Sequence, residues 1–250
     1  MRQWANDGLK AAIPSDVYPV YLDLAAQAGL AVLPYAMHPT VESQDWDAAD
    51  MLLLTNPVKP RGDFLTASEV HAVLQWLAAS AHRRVFIDAV YDLRAELHTS
   101  TRQLVHTNQA VVLHSLSKAW MSPLLAGVAL VPASDVGYWT PVFRAEAVDR
   151  EQLAEAEAWL AGHPRLPNEV GDAFETAQAE LARKAANAGL RLVPRLGDKA
   201  PGYMLQVQAS FDDTLERGFI GLPGCTFGIN DPAVTVLSAL DLVPSLPAGQ

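Results

Sequence analysis

Short apolar runs alternate with a longer amphipathic segment in the first part of the chain. The runs at 49–57 and 83–91 are almost continuously apolar and each ends in polar residues, as buried strands of a parallel sheet do. Between them, Thr66 and Glu69 form a helix-capping pattern, and the apolar residues that follow recur at helical spacing. A strand, a helix and a strand of these lengths predict a right-handed βαβ unit and therefore a parallel sheet.

A change of pattern near residue 145 predicts a second, smaller domain. Two more strands are predicted before this point, at 109–117 and 124–132. The helices and strands predicted after it cover 149–163, 167–190, 202–210 and 218–228, and the stretch 233–243 fits either a strand or a helix. We therefore expect an α/β fold, with a mostly parallel sheet flanked by helices over 1–145 and a linking helix and small C-terminal α+β domain over 146–250.

Composition and charge limit the kinds of binding partner that are expected. The 250 residues are half apolar, which is enough for one large domain with a smaller lobe. The 28 acidic residues exceed the 18 basic ones and give a net charge of −10, and no cluster of Lys or Arg interrupts this balance. Neither nucleic acid nor an anionic membrane is therefore an expected partner.

Cysteine usage and the N-terminal residues indicate the compartment. Cys225 is the only cysteine, which excludes an intramolecular disulfide and a cysteine-rich metal site, and the seven histidines show no metal-ligand spacing. The N-terminal residues lack the apolar core of a signal peptide, and no apolar run approaches the roughly 18 residues of a membrane span. We expect a cytoplasmic protein without a metal.

Reactive side chains follow the predicted strands at the points where these strands end. They belong to Asn56, Asp88, Tyr91, Ser115, Ser117 and Lys118. Because the carboxyl ends of parallel strands meet at one edge of a sheet, an amide, a carboxylate, a phenol, two hydroxyls and an amine are expected in one crevice.

These groups fit pyridoxal phosphate. A buried Asp88 needs a cation or a hydrogen-bond donor, and a pyridinium N–H would serve. Tyr91 can donate to a phenolate-like oxygen, and a partly desolvated Lys118 could form a Schiff base with an aldehyde. Taken alone, Asp88 would more often be a structural turn former and Lys118 a surface lysine, so the prediction depends on their occurring together.

The matching segments resemble the fold-type I pyridoxal-phosphate enzymes, specifically the class I/II aminotransferases that include histidinol-phosphate aminotransferase. "LLLTNPVKPRG" is similar to that family's Asn-Pro-x-x-Pro-x-Gly segment, "VFIDAVY" to its Asp-x-x-Tyr strand and "HSLSK" to its Ser-x-Ser-Lys segment. "DVYPVY" and "AQAGLAVLPY" resemble the region before these motifs, and "APGYMLQV" and "GLPGCTFG" resemble the small domain. The resemblance covers nearly the whole chain.

The resemblance implies roles for the strand-end residues. It makes Lys118 the Schiff-base lysine and proton shuttle, and Asp88 the group that keeps the ring nitrogen protonated. It places Tyr91 and Asn56 at the phenolic oxygen of the ring.

The resemblance also implies groups near the cofactor phosphate. Ser115 and Ser117 are expected there, and Tyr18 takes the position of the family's Pro-Thr-Tyr tyrosine. "ANDGLKAAI" is similar to the phosphate-binding turn and helix start, which would put Asn6 and Asp7 near the phosphate at a helix N-terminus.

Three departures from the family pattern stand out. Leu125 and Ala126 occupy the region where the family has an arginine for the cofactor phosphate, and Thr235 or Val236 stands where it has an arginine for the substrate carboxylate. The N-terminal region is shortened, and the strand between the first helix and "PSDVYPVY" is expected to be missing.

The function expected from the resemblance is that of an aminotransferase-like, pyridoxal-phosphate-dependent transferase. It would act on an amino acid or amine and a keto or aldehyde acceptor, and it would form a homodimer. Another reaction at Cα (decarboxylation, elimination or cyclisation) remains open, as does a degenerate homologue that binds a ligand or partner without cofactor chemistry.

Lys59 and Arg61 are interpreted as solvated loop charges in preference to contacts with an anionic ligand. Arg61, Arg144 or Arg217 could replace the missing arginines.

Overall fold

The computed structural model describes residues 1–18, 20–41, 46–119, 127–145 and 150–243. Among these residues, no helix combines the length and the apolar character needed to cross a membrane.

A six-stranded sheet forms the centre of the first part of the chain. Its strands are β1 Lys10–Pro14, β2 Ala31–Tyr35, β3 Met51–Thr55, β4 Arg84–Asp88, β5 Ala110–Ser115 and β6 Gly127–Leu130. Their order is β2-β1-β3-β4-β5-β6, with the first five parallel and β6 antiparallel to β5. The predicted fold class is confirmed.

Helices cover both faces of this sheet. They are α1 Arg2–Asn6, α2 Val20–Gln27, α3 Ala67–Ala78, α4 Thr99–Val105, α5 Leu116–Ala119 and α6 Val136–Ala145. The predicted capping pattern of α3 is present, because the Thr66 hydroxyl accepts from the Glu69 N–H at 3.1 Å and the Glu69 carboxylate accepts from the Thr66 N–H at 2.8 Å.

Three helices and a small antiparallel sheet make up the rest of the described chain. The helices are α7 Arg150–Gly162, α8 Leu166–Asn187 and α9 Phe211–Glu216, and the strands are β7 Met204–Gln208, β8 Gly221–Pro223 and β9 Val234–Ser238. The strand order is β7-β9-β8. The stretch that fitted either a strand or a helix is thus a strand over Val234–Ser238, since pairing with β7 and β8 on both sides satisfies its backbone groups, and a short 3-10 helix follows at Leu240–Leu242.

Apolar side chains fill both faces of the large sheet, so its central strands β3 and β4 are almost entirely buried. All five residues of β3 are buried. On one face Leu52 and Ile87 lie in a cluster with Val73 of α3, and on the other Phe86 packs edge-on against Trp4 at 4.4 Å between ring centroids. Burying each such side chain contributes about 1.5–3 kcal/mol, so this packing stabilises the sheet.

Close backbone contacts join the two parts of the chain. The Asp63 carboxylate accepts from the N–H groups of Leu196 and Gly197 at 2.7 and 3.0 Å. Gly228 has a φ of 83°, and a Cβ built on it would lie 2.1 Å from the Ser15 carbonyl oxygen, so only glycine allows this approach. These contacts hold the two parts of the chain closely together.

The N-terminal expectation is corrected by β1. The strand that was expected to be missing is present, and it begins four residues after α1 ends at Asn6. Its sequence, "KAAIP", is short, with a lysine and a proline at its ends, but β2 and β3 flank it and bury its last four residues. Asn6 and Asp7 consequently lie at the C-terminal end of a helix instead of an N-terminal end.

Candidate active site

A cavity of about 630 Å³ lies between the carboxyl ends of the large sheet and the small sheet. The large-sheet side of the cavity is lined by Val17, Tyr18, Tyr21, Lys59, Asp88, Val90, Tyr91 and Lys118. The opposite side includes Tyr203, Ile220, Leu222, Phe227, Val236 and Ser238. The polar groups are therefore concentrated where the parallel strands end, as expected for this architecture.

Asp88 is the last residue of β4 and is only 9% exposed. One carboxylate oxygen accepts from the Lys59 ammonium at 2.8 Å and from the Tyr21 hydroxyl, and the other accepts from the Val90 N–H at 3.1 Å. The cationic partner that a buried carboxylate requires is thus supplied by the chain itself.

Lys59 lines the cavity, which the sequence interpretation missed. It is 8% exposed instead of solvated, and its ammonium lies 4.9 Å from the centre of the Tyr91 ring. Burial lowers the pKa of Lys59 the most, Asp88 opposes this shift, and Lys118 adds to it, so the pKa lies below its ordinary value. The available signal was its position: Lys59 stands between Val58 and Pro60, four residues beyond a fully buried strand.

Lys118 lines the same cavity as Asp88 but is exposed, contrary to the expectation that it would be partly desolvated. It lies in α5, which begins directly after β5. The hydroxyls of Ser115 and Ser117 are 2.9 Å apart and both residues are half-buried. The amine and the two hydroxyls thus belong to one strand-to-helix turn.

Tyrosines form much of the wall between Asp88 and the small sheet. Burial, followed by the charge of Asp88, raises the pKa of Tyr21, and burial, followed by a hydrogen bond to Tyr203, raises the pKa of Tyr91. The hydroxyls of Tyr91 and Tyr203 are 2.6 Å apart, and Tyr18 packs edge-on against Tyr21 at 5.5 Å. Because both pKa values are raised, Tyr21 and Tyr91 are neutral hydrogen-bond donors near pH 7.

Asn56 is not brought to the cavity. It is fully buried, and its amide group donates to the hydroxyls of Ser100 and Thr101 at 2.8 Å each. Its amide oxygen accepts from the Leu65 N–H at 2.9 Å. These bonds tie the loop after β3 to α4, so the geometry supports a structural role for Asn56 instead of a contact with the ring oxygen.

Asn6 and Asp7 are also placed away from the cavity. Both precede β1 and therefore lie toward the amino ends of the parallel strands, whereas the cavity is at the carboxyl ends. The Asp7 carboxylate accepts from Gln3 at 2.9 Å and from the Tyr138 hydroxyl.

The positions of the missing arginines are only partly described. Leu125 and Ala126 lie outside the described residues. Thr235 is buried and donates to the Ala209 carbonyl oxygen at 2.9 Å, whereas Val236 lines the cavity. No arginine is found among the described residues that line this cavity.

Two of the arginines considered as replacements have other contacts, and the third, Arg144, is an exposed residue of α6 that does not line the cavity. Arg61 is buried against Glu69 and Asp63, and Arg217 donates to the Ala188 carbonyl oxygen at 2.6 Å. The cations that the described part of the cavity does contain are Lys59 and Lys118.

Comparison with known proteins points to one family. The sequence model of the family described as "Aminotransferase class I and II" matches residues 1–145, which is more than half of the chain. A search of curated proteins finds no match.

Solved aminotransferase structures share this fold. An aminotransferase from Staphylococcus aureus is 19% identical, with a TM-score of 0.72 over 92% of this chain and 66% of that one. An Escherichia coli protein described as having a methionine aminotransferase function is also 19% identical, with a TM-score of 0.72 over 92% of this chain and 66% of that one. A double mutant of Thermus thermophilus aspartate aminotransferase is 17% identical, with a TM-score of 0.71 over 92% of this chain and 65% of that one. The present chain thus spans slightly less than two thirds of the length of these relatives.

Proposed function

The chain belongs to the class I and II aminotransferases, and on that premise we propose that it transfers an amino group with pyridoxal phosphate as cofactor. Its donor would be an amino acid or an amine, and its acceptor a keto or aldehyde compound. The observation that carries this proposal is that Asp88 and Lys118, which follow successive strands, line one cavity together with Tyr18 and Tyr91.

The residues of the cavity fit the ring and the aldehyde of pyridoxal phosphate. Asp88 would accept a hydrogen bond from the ring nitrogen, and the Lys118 amine would hold the aldehyde carbon. Tyr91 can donate to the phenolic oxygen, and Tyr18 can pack beside the ring. The hydroxyls of Ser115 and Ser117 are the groups proposed for the phosphate.

Asp88 and Lys118 would each control the position of a proton during the reaction. When bound, the cofactor supplies an electron-withdrawing ring that stabilises negative charge at the carbon bearing the amino group. The Asp88 carboxylate keeps the proton on the ring nitrogen. Once the amino group of the donor has displaced Lys118 from the aldehyde carbon, the freed Lys118 amine would accept the proton from Cα of the donor. Its exposed position on α5 would give it the freedom to carry that proton.

The small-sheet wall supports an apolar donor. Ile220, Leu222, Phe227 and Val236 present hydrocarbon to the cavity. An alkyl or aryl side chain on this wall would exclude water from Cα, where a carbanion-like charge develops.

A homodimer is part of the proposal. The hydroxyls of Ser115 and Ser117 share a turn with Lys118, and no arginine lines the described part of the cavity, so a second copy is the proposed source of further phosphate contacts. Light scattering at micromolar concentration tests this step, and a strictly monomeric protein would contradict it.

The direct test of the cofactor is the visible spectrum of the purified protein with and without added pyridoxal phosphate. We expect a yellow protein whose absorbance band disappears in Lys118→Ala. Lys184→Ala, which removes a surface lysine on α8, is the matched control and should keep the band. A colourless wild type at saturating cofactor would overturn the proposal.

One observation favours a second candidate, a homologue that binds a ligand or partner without cofactor chemistry. Asp88 already has a cationic partner in Lys59, so its burial does not by itself require a ring nitrogen. The same spectrum separates the two candidates, because the second predicts no band. A different reaction at Cα would instead keep the band and release an altered product.

A further inference from the structure

Lys59 and Asp88 form a buried ion pair at the end of the cavity where the cofactor ring would lie. The ammonium nitrogen is 2.8 Å from the carboxylate oxygen, and the two side chains are 9% and 12% exposed. The Tyr21 hydroxyl donates to the same oxygen. A carboxylate oxygen has two lone pairs, so this oxygen already has its full set of hydrogen bonds.

We propose that Lys59 is an internal counter-ion that competes with the ring nitrogen of the cofactor for Asp88. This inference rests on the proposed function, because it concerns the same cavity. Lys59 is then a positioning residue: in the protein without cofactor it keeps Asp88 neutralised, and it has to leave Asp88 when a ring N–H takes its place.

The single negative charge of Asp88 is already balanced by Lys59, so a protonated ring nitrogen would compete with Lys59 for that charge, although the second oxygen of Asp88 keeps one lone pair. Its second oxygen accepts from the Val90 N–H at 3.1 Å, which belongs to the rigid backbone at the end of β4. The Tyr21 hydroxyl is held by its ring packing against Tyr18. Of the three donors at Asp88, the flexible ammonium side chain of Lys59 is therefore the one that a ring nitrogen would displace.

Displacement leaves Lys59 without an acidic partner. The groups that face it in the described part of the structure are Asp88 from β4, the Tyr91 ring, and Lys118 from α5, with Tyr21 of α2 across the carboxylate. Of these, Asp88 is the group with a negative charge at neutral pH. A buried ammonium without a counter-ion is strongly disfavoured, so Lys59 is expected to lose its proton as Asp88 is taken over.

The release of this proton determines how the affinity for the cofactor changes with pH. Binding converts Lys59 from a paired ammonium to a neutral amine and so releases a proton. The affinity of the wild type should therefore rise with pH more steeply than that of a variant without the amine.

Pyridoxamine phosphate is the probe that isolates this contact, because it has the ring nitrogen but no aldehyde to react with a lysine. Its dissociation constant would be measured by equilibrium titration for the wild type, Lys59→Met and Lys59→Gln between about pH 6 and 9. The matched control is Lys184→Met on the surface of α8. Thermal unfolding of each apoprotein would identify the variants that fold, and the neutral amide of Lys59→Gln provides a second folded variant where methionine is not tolerated.

We expect both Lys59 variants to bind pyridoxamine phosphate roughly tenfold more tightly or better near pH 7, with a flatter pH dependence. The gain should vanish when Asp88→Asn is present in both proteins, since competition needs the carboxylate. Binding by the Lys59 variants but not by the wild type would also support the inference. Equal or weaker binding by folded Lys59 variants, with a wild type that binds, would overturn the inference and leave the proposed function standing. No binding by any of the proteins would overturn both.

Discussion

Arg61 and Glu69 form a buried, bidentate ion pair that anchors the loop carrying Lys59. The two guanidinium nitrogens lie 2.9 and 3.0 Å from the two carboxylate oxygens, and the Glu69 side chain is fully buried. Glu69 also closes the capping box of α3, so one carboxylate fixes both the start of a helix and the course of the loop. Arg61 therefore has a structural role and is not the missing anion clamp of the cavity.

The first prediction concerns this pair. Burial alone would raise the pKa of Glu69, but the hydrogen bonds and charge of Arg61 outweigh it and hold the pKa below its ordinary value. Glu69→Gln leaves the Arg61 charge without this partner, and breaking a buried pair in this way costs roughly 3–5 kcal/mol. Urea unfolding would show the loss, whereas Glu180→Gln, at an exposed pair with Arg183, should have little effect. Equal midpoints for the two variants would contradict the structural role.

The sequence was enough to place Asp88, Tyr91 and Lys118 in one crevice. This prediction requires only that the apolar runs form neighbouring parallel strands. Each follows a strongly apolar run, and parallel strands carry such residues to one edge. Their orientation, by contrast, depends on contacts from distant segments. Asn56 turns away because Ser100 and Thr101, 44 and 45 residues later, accept from its amide group.

Two errors of the sequence interpretation have the same physical origin. Lys59 was expected to be solvated because it lies in a loop with other charged residues. It is buried because its ammonium donates a hydrogen bond to Asp88, 29 residues later. The strand β1 was missed because five residues with a lysine at one end have no distinct pattern. Pairing with β2 and β3 buries it, and neither partner can be recognised from the strand itself.

The second prediction concerns the proton on the cofactor ring. Asp88→Asn keeps the shape of the side chain but removes the charge that stabilises a protonated ring nitrogen. Cofactor should still bind, whereas single-turnover proton removal from the donor should slow by orders of magnitude. Asp212→Asn on the surface of α9 is the control. Wild-type rates in Asp88→Asn would show that Asp88 is a structural residue.

The third prediction concerns Asp92, which is buried at the start of α4. Burial raises the pKa of Asp92 to about 6, and the hydrogen bond from the His98 N–H only partly offsets this shift. The folded protein therefore binds a proton here that the unfolded chain has lost. The contribution to stability is present below about pH 4 and is lost as the pH rises through about 6.

Replacing Asp92 with asparagine should remove this part of the pH dependence. The asparagine side chain is neutral, and its amide oxygen can still accept from the His98 N–H. The variant Asp92→Asn should therefore gain stability relative to the wild type above pH 6, by roughly 3 kcal/mol at most. Urea unfolding at pH 4.5 and pH 7.5 measures the difference, with Asp212→Asn as the control. A difference between variant and wild type that is the same at both pH values would argue against a raised pKa of Asp92.

The last prediction concerns the amino donor. An α-carboxylate that enters the cavity on the side of Val236 meets hydrocarbon, whereas an arginine there would form two charge-assisted hydrogen bonds worth a few kcal/mol. α-Amino acids should therefore be poor donors compared with amines of the same side chain, so that phenethylamine reacts faster than phenylalanine. Val236→Arg should shift this preference toward the amino acid, while Leu215→Arg on the exposed face of α9 should leave it unchanged. The measurement is the ratio of kcat/KM for the two donors, taken together with a titration of the cofactor. Fast turnover of glutamate or alanine by a wild type that holds its cofactor tightly would mean that another cation, with Lys59 the first candidate, takes the carboxylate.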